Sequence, residues 1–131
     1  MSQNIALIAI VVDDYDEAID FYINKLGFAL KEDTALSETK RWVVVAPPGS
    51  NGTALLLAKA ANEAQQSRVG NQAGGRVFLF LHTDEFDGYY DRLLNGKVKI
   101  VRTPVTESWG KVAVFADLYG NLWDLIERET V

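Results

Sequence analysis

The chain carries VVDDYDEAIDFY at residues 11–22 and repeats its pattern as HTDEFDGYYDRL at residues 82–93. Asp13, Asp16 and Asp20 of the first stretch recur as aspartates in the second at one constant spacing. The apolar residues of both stretches fall at i, i+3, i+4 and i+7, which is the spacing of one helical face. The repeat therefore predicts that one supersecondary unit occurs twice in the chain.

The segments around the first copy predict the order βαβββ. An apolar, β-branched run at residues 5–12 has the length of a strand, and a helix capped by Asp13 or Asp14 follows it and stops at Gly27. The apolar face that this helix is expected to bury consists of Tyr15, Ala18, Ile19, Tyr22 and Leu26. Further strands are predicted at residues 28–36, 41–46 and 53–59.

The second half predicts the same order. A helix is expected over residues 84–95, and residues 104–110 are expected to form a flexible lip. Strands are predicted at residues 76–83, 98–102, 111–116 and 122–128. The polar, glycine-rich connection between the halves favours a linker with one helical turn near its start. The prediction is one domain over residues 1–131, with module one at about 4–59, a linker at about 60–75 and module two at about 76–129.

Composition excludes several classes of protein. The 131 residues are 48% hydrophobic and 24% charged, which is typical of one globular domain. The net charge of −5 argues against a nucleic-acid partner and suits a neutral or cationic ligand. The absence of cysteine excludes disulfides, thiolate metal ligands and a cysteine nucleophile.

The apolar segments are too short for a membrane protein. The longest runs, near residues 5–12 and 77–81, fall far below the roughly 20 residues that a membrane helix needs. The chain starts without a basic region followed by a long apolar run, so no signal peptide is expected. We therefore expect a soluble, cytoplasmic protein with no membrane partner.

Two βαβββ modules imply an α+β fold with a concave surface. One module has a curved sheet with a helix on one face only, so its other face stays exposed. Two modules placed side by side would form a half-open barrel around a concave cup, which is a common shape for a ligand site. Whether the barrel closes within one chain or between two chains stays open.

Two motifs carry a resemblance to a known family. They are the DxDxAxxFY pattern of residues 14–22, followed by LeuGlyPhe at residues 26–28, and DLYGNLWDLIE at residues 117–127. Together they resemble the vicinal oxygen chelate superfamily, which includes glyoxalases, bleomycin-resistance proteins, extradiol dioxygenases and fosfomycin-resistance enzymes. The resemblance covers nearly the whole chain. It implies the fold, but the fold hosts several chemistries.

The resemblance also implies where a metal would bind. Metal-dependent members place His, Glu or Gln on the first and last strands of each module, and these side chains hold a divalent ion. The matching positions of this chain are Leu7, Leu56, Phe78 and Asp124. The three hydrocarbon side chains have no lone pair to donate, so the usual metal centre is absent and no cofactor is expected. A divalent metal on relocated ligands, with His82 and Asp124 among them, stays open.

The remaining candidate residues are aromatic or charged. His82 is the one histidine, and strand alternation places it on the face of Phe78 and Phe80, where it would either act at the cup or simply end a strand. Candidate ligand-binding residues are Phe78, Phe80, His82, Trp109 and Asp124, with His82 and Asp124 also the catalytic candidates. Weaker candidates are Trp42 and Trp123 for stacking, and Arg41, Arg76 and Arg102 for an acidic ligand.

Three functions follow from this pattern. The first is a metal-independent, homodimeric small-molecule binding protein, similar to the bleomycin-resistance branch, that takes an aromatic, amphipathic or cationic compound. The second is a metal-dependent lyase or dioxygenase of the same superfamily with non-standard ligands. The third is a regulatory or structural dimer with a filled barrel. Whether any reaction is catalysed stays open.

Overall fold

The computed structural model describes residues 1–129, which divide into two compact units. The first unit runs from Met1 to Val69 and the second begins at Gly70. Each unit has the order βαβββ, and the first carries one short additional helix, so the predicted repeat is confirmed. No helix in the described residues is long and apolar enough to cross a membrane.

The first unit is a four-stranded mixed sheet with one helix packed on it. Its elements are β1 (Leu7–Val12), α1 (Tyr15–Asp20), a π-helical turn (Phe21–Lys25), β2 (Ala29–Ala35), β3 (Arg41–Ala46), β4 (Ala54–Lys59) and α2 (Glu63–Gln66). The strand order is β1-β4-β3-β2, with β1 and β4 parallel and the other neighbours antiparallel. Helix α1 packs against β3 and β4.

The second unit repeats this topology. Its elements are β5 (Val77–His82), α3 (Phe86–Asn95), β6 (Ile100–Glu107), β7 (Gly110–Ala116) and β8 (Leu122–Arg128). The strand order is β5-β8-β7-β6, again with one parallel pair, β5 and β8. Because the first and last strands of each unit are neighbours, their side chains meet on the same sheet surface.

Strand alternation gives each sheet two different faces. In the first unit, Val43, Val45 and Leu57 are fully buried on the face that α1 covers. In the second unit, Trp123 and Leu125 are buried on the face of β8 that α3 contacts. We call the opposite side of each sheet its open face, and Leu56 and Asp124 lie there by alternation.

The two main helices begin in different ways. In the first unit Asp14 is the N-cap, and its carboxylate accepts a hydrogen bond from the Glu17 N–H at 2.9 Å, as predicted. In the second unit the helix begins at Phe86, two residues later than predicted. There the Phe86 N–H donates to Oε1 of Glu127 on β8 at 3.1 Å. The carboxylate that caps α3 therefore comes from a distant strand.

The π-helical turn changes the buried face of the first helix. A π-helix takes more residues per turn than an α-helix, so the apolar spacing shifts where the turn occurs. Phe21 is buried at 5% exposure, whereas Ile19, which the helical spacing placed in the core, is only partly buried. Tyr22 and Leu26 are buried as predicted.

Candidate functional site

The open face of the second unit carries one row of side chains that runs across all four strands. Its members, from edge to edge, are Phe80 on β5, Asp124 on β8, Val114 on β7 and Arg102 on β6. We call this the unit-2 row. Cα partners on neighbouring strands point to the same face, so the row places an aromatic ring beside a carboxylate.

Phe80 and Asp124 differ sharply in exposure. The Phe80 side chain is 60% exposed, which is unusual for a large apolar residue inside a strand. Asp124 is partly buried, and this burial raises the pKa of its carboxyl group. The positive charge of Arg102 lowers the same pKa by a smaller amount. The open face thus combines exposed apolar surface with a carboxylate that is partly buried.

His82 lies near this row without bonding to its carboxylate. It is exposed at the end of β5, and its Cα partner is Ile126, two positions along β8 from Asp124. Among residues 1–129 no hydrogen bond joins His82 to Asp124. His82 therefore shares the open face with Phe80 and is a neighbour of the row.

Phe78 sits at an irregularity of β5. Val77 pairs with Leu122 and Leu79 pairs with Trp123, so Phe78 is an extra residue in the ladder. Such a bulge interrupts the alternation of side chains. Phe78 is partly buried, and its direction does not follow from that of Phe80 two residues later.

Trp109 lies away from the row. It occupies the turn between β6 and β7, it is 41% exposed, and its carbonyl oxygen accepts a hydrogen bond from the Glu129 N–H at 2.8 Å. Gly110 begins β7 four positions before Val114, a separation of about 13 Å along a strand. Residues 104–107 belong to β6, so the predicted flexible lip is wrong for that part of the chain.

The positions expected to hold a metal do not fit one. Leu7 pairs with Ala54 and Leu56 pairs with Ala9, which places both leucines on the open face of the first unit. Phe78 and Asp124 complete the four positions, and only Asp124 has a ligand atom. Among residues 1–129 no group of three or more His, Cys, Asp and Glu side chains could hold a metal ion. The described residues therefore lack the donor set of a metal-dependent member.

The first unit has a matching row with different chemistry. Its members are Ala9 on β1, Leu56 on β4, Val44 on β3 and Glu32 on β2. We call this the unit-1 row. A methyl group replaces the ring of Phe80 and a hydrocarbon side chain replaces the Asp124 carboxylate, while the edge residue changes from arginine to glutamate.

The first unit also carries a groove that its sequence pattern did not reveal. It has a volume of about 550 Å3 and lies where β3 begins and β4 ends. Trp42 and Leu56 line it together with the segment that leads into α2, including Gln65. Trp42 was a weak stacking candidate by sequence. Nothing in the local pattern indicated that the chain after β4 would turn back over the end of the sheet.

Comparisons with known proteins agree with this architecture. The family model of the Glyoxalase/Bleomycin resistance protein/Dioxygenase superfamily matches residues 4–125. An uncharacterized protein of Shewanella frigidimarina is 61% identical over 128 residues, which cover 97% of this chain and 95% of that protein.

Two solved structures share the fold over nearly the full length of both chains. UcmS2 is 29% identical with a TM-score of 0.83, and the match covers 96% of this chain and 98% of UcmS2. TnmS3, described as an antibiotic binding protein from Streptomyces sp. CB03234, is 30% identical with a TM-score of 0.76, and the match covers 98% of each chain.

Proposed function

We propose that this chain, which belongs to the Glyoxalase/Bleomycin resistance protein/Dioxygenase superfamily, binds a small aromatic or amphipathic cation without a metal. The observation that carries the proposal is the pairing of a 60% exposed Phe80 with the partly buried Asp124 carboxylate. An aromatic ligand would cover the ring, and its positive charge would compensate the poorly solvated carboxylate. His82, Phe78 and Trp109 are proposed as further contacts.

The metal positions support binding without a metal. Leu7, Leu56 and Phe78 stand where metal-dependent relatives need His, Glu or Gln, and hydrocarbon side chains form no coordinate bonds. TnmS3 is described as an antibiotic binding protein, and its similarity supports ligand binding as the activity. A non-covalent binding protein needs no acid–base pair, which agrees with the separation of His82 from Asp124 by two positions of the ladder.

The test is a matched pair of probes on four proteins. 1-Naphthylmethylammonium and its neutral analogue 1-naphthalenemethanol are titrated by calorimetry into the wild type, Phe80→Ala, Asp124→Asn and Leu94→Ala. Leu94 is the control because it is an exposed apolar residue on α3. We expect Phe80→Ala to weaken both probes about fivefold and Asp124→Asn to weaken only the cation, by about tenfold.

Several outcomes would contradict the proposal. Absence of binding by the cation, or equal binding of both probes by the wild type, would remove the role of Asp124. An effect of Leu94→Ala equal to that of Phe80→Ala would show that the substitution acts through general stability. Elemental analysis of protein purified without chelators completes the test, since a stoichiometric divalent metal would favour the metal-dependent lyase or dioxygenase alternative.

The proposal extends to the state of the protein in the cell. We propose a cytoplasmic homodimer in which both units belong to one domain. Light scattering should give twice the mass of the chain, and cell fractionation should recover the protein with the cytoplasm. A single cooperative unfolding transition would support one domain. Two transitions would show that the units unfold separately.

A further inference from the structure

We propose that the groove of the first unit is a separate site for a planar aromatic anion. The groove lies entirely within residues 1–69, so it does not depend on the unit-2 row. Its volume of about 550 Å3 falls in the range of pockets that hold small organic ligands. Its lining combines two aromatic residues, Tyr15 and Trp42, with several positive charges.

Trp42 supplies the aromatic surface. It follows Arg41 at the start of β3, one step beyond the pair Val43–Leu57, which places it beside the small Ala58 on the open face. Trp42 is only partly buried. A partly buried indole ring that lines a groove is suited to stacking on a flat ligand.

The charge of the lining selects the ligand. Lys40, Arg41 and Lys59 line the groove, and none of the lining residues carries a carboxylate. The Arg41 guanidinium already binds Asp16 at 2.8 Å and Asp33 at 2.6 Å. Within residues 1–129 neither Lys40 nor Lys59 forms an ion pair.

The positive charge of the groove lining is opposite in sign to the net charge of the whole chain. The chain has a net charge of −5, which disfavours an anion overall, whereas Lys40, Arg41 and Lys59 give the groove a local positive charge. Lys40 and Lys59 line the same groove as Trp42, and this combination of ammonium groups with an indole ring suits a carboxylate or sulfonate attached to a flat ring system. The proposed occupant is therefore an aromatic acid, whereas the unit-2 row is proposed to take a cation.

The experiment uses 2-naphthoate and its neutral analogue 2-naphthamide as probes. Both are titrated by calorimetry into the full chain as wild type, as Trp42→Leu and as the double variant Lys40→Gln/Lys59→Gln. The matched control is Lys31→Gln/Lys99→Gln, which removes the same charge at two exposed lysines outside the groove. Thermal unfolding of each variant checks that the fold is retained.

The expected pattern has three parts. The wild type should bind naphthoate about tenfold more tightly than naphthamide, and the groove double variant should abolish that preference while leaving naphthamide within about twofold. Trp42→Leu should weaken both probes about fivefold. The control double variant and Phe80→Ala should leave naphthoate binding within about twofold, which separates this site from the proposed cation site.

Several results would contradict an anion site in the groove. No binding of naphthoate by the folded wild type would overturn the proposal. A preference for naphthoate that survives Lys40→Gln/Lys59→Gln, or that the control double variant reduces equally, would show that the groove lysines do not select the anion. Should Trp42→Leu unfold, Trp42→Phe keeps the test decisive, since it should retain naphthoate binding and lose the quenching of indole fluorescence by the probe.

Discussion

The two open faces have the same backbone and different chemistry. The unit-1 row and the unit-2 row occupy equivalent positions on sheets of identical strand order. On the parallel first and last strands, the second unit pairs Phe80 with Asp124, whereas the first unit pairs Ala9 with Leu56. The duplication thus keeps the architecture and varies the side chains of the open faces.

The helix-facing sides differ much less. In the first unit the Arg41 guanidinium lies 5.2 Å from the Tyr15 ring centroid and pairs with Asp16. In the second unit the Lys111 ammonium lies 5.9 Å from the ring centroid of Phe86 and pairs with Asp87 in the same way. A cation, an aromatic ring and a carboxylate thus form the same kind of cluster at equivalent positions in both units. The cluster is structural, because it joins α1 to β3 and α3 to β7.

The turns before the last strands should show the largest difference between the units. The Asp117 carboxylate accepts hydrogen bonds from the backbone N–H groups of Tyr119, Gly120 and Asn121 at 2.9–3.0 Å and from the Asn121 side chain at 3.0 Å. In the first unit no carboxylate plays this part within the described residues: the Ser50 hydroxyl accepts from the Gly52 N–H at 3.0 Å, and the Thr53 hydroxyl donates to the Ile5 carbonyl oxygen at 2.7 Å.

We expect Asp117→Ala to lower the free energy of unfolding by about 3 kcal/mol, because several partly buried donors lose their acceptor. Ser50→Ala should cost no more than about 0.5 kcal/mol at its more exposed site. Urea denaturation measures both values. Equal losses for the two variants would contradict this account of the turns.

Exchanging the central residues of the two rows should have opposite effects. At pH 7 we expect Asp124→Leu to stabilise the protein by about 1 kcal/mol, because it removes a partly buried charge. Leu56→Asp should destabilise it by about 2 kcal/mol, because it introduces one. Burial raises the pKa of Asp124 in the folded state, so its ionised form opposes folding.

Because the pKa of Asp124 is raised, the effect of Asp124→Leu on stability should depend on pH. As the pH falls through the raised folded-state pKa, Asp124 takes up a proton and its penalty disappears. The gain from Asp124→Leu should therefore be largest near pH 7 and shrink towards pH 3.5. Urea denaturation at both pH values tests this, with Asp124→Asn as the variant that removes the charge alone. A gain independent of pH would show that charge is not its cause.

Local periodicity predicted the features that depend on neighbouring residues. The strands and a helix cap at Asp13 or Asp14 follow from spacings of two to four residues, and the repeat follows from the constant offset between residues 11–22 and residues 82–93. The metal positions were implied by the resemblance to a known family, and the register between the two copies then assigned them to Leu7, Leu56, Phe78 and Asp124.

Features that depend on distant residues were not predicted. Glu127 caps α3 from a strand 41 residues away, and the bulge at Phe78 is a mismatch between two strands. The groove beside Trp42 forms because the chain turns back after β4, and its charge comes from residues on two strands. The π-helical turn at residues 21–25 likewise departs from the regular spacing that the apolar pattern assumes.

The smallest expected difference in stability concerns Arg41 and Lys111, which occupy equivalent positions in the two units. Arg41 donates to both oxygens of Asp33, from Nε at 3.1 Å and from an Nη at 2.6 Å, in addition to its bond with Asp16. Lys111 has Asp87 as its ion-pair partner. An ammonium group cannot reproduce the two parallel bonds of a guanidinium, so Arg41→Lys should lose the contact with Asp33 while Lys111→Arg loses nothing.

We expect Arg41→Lys to lower the free energy of unfolding by about 0.5 kcal/mol at pH 7, and Lys111→Arg to change it by less than about 0.3 kcal/mol. The hydrogen bonds from Arg41 hold the pKa of Asp33 below its usual value, so this stabilisation is present above about pH 4 and disappears as the pH falls through the lowered pKa. Thermal unfolding of both variants and the wild type at pH 7 and pH 3 measures the difference. A cost of Arg41→Lys that stays constant down to pH 3 would assign it to the packing of Arg41 on Tyr15, the contact that both units share, rather than to Asp33.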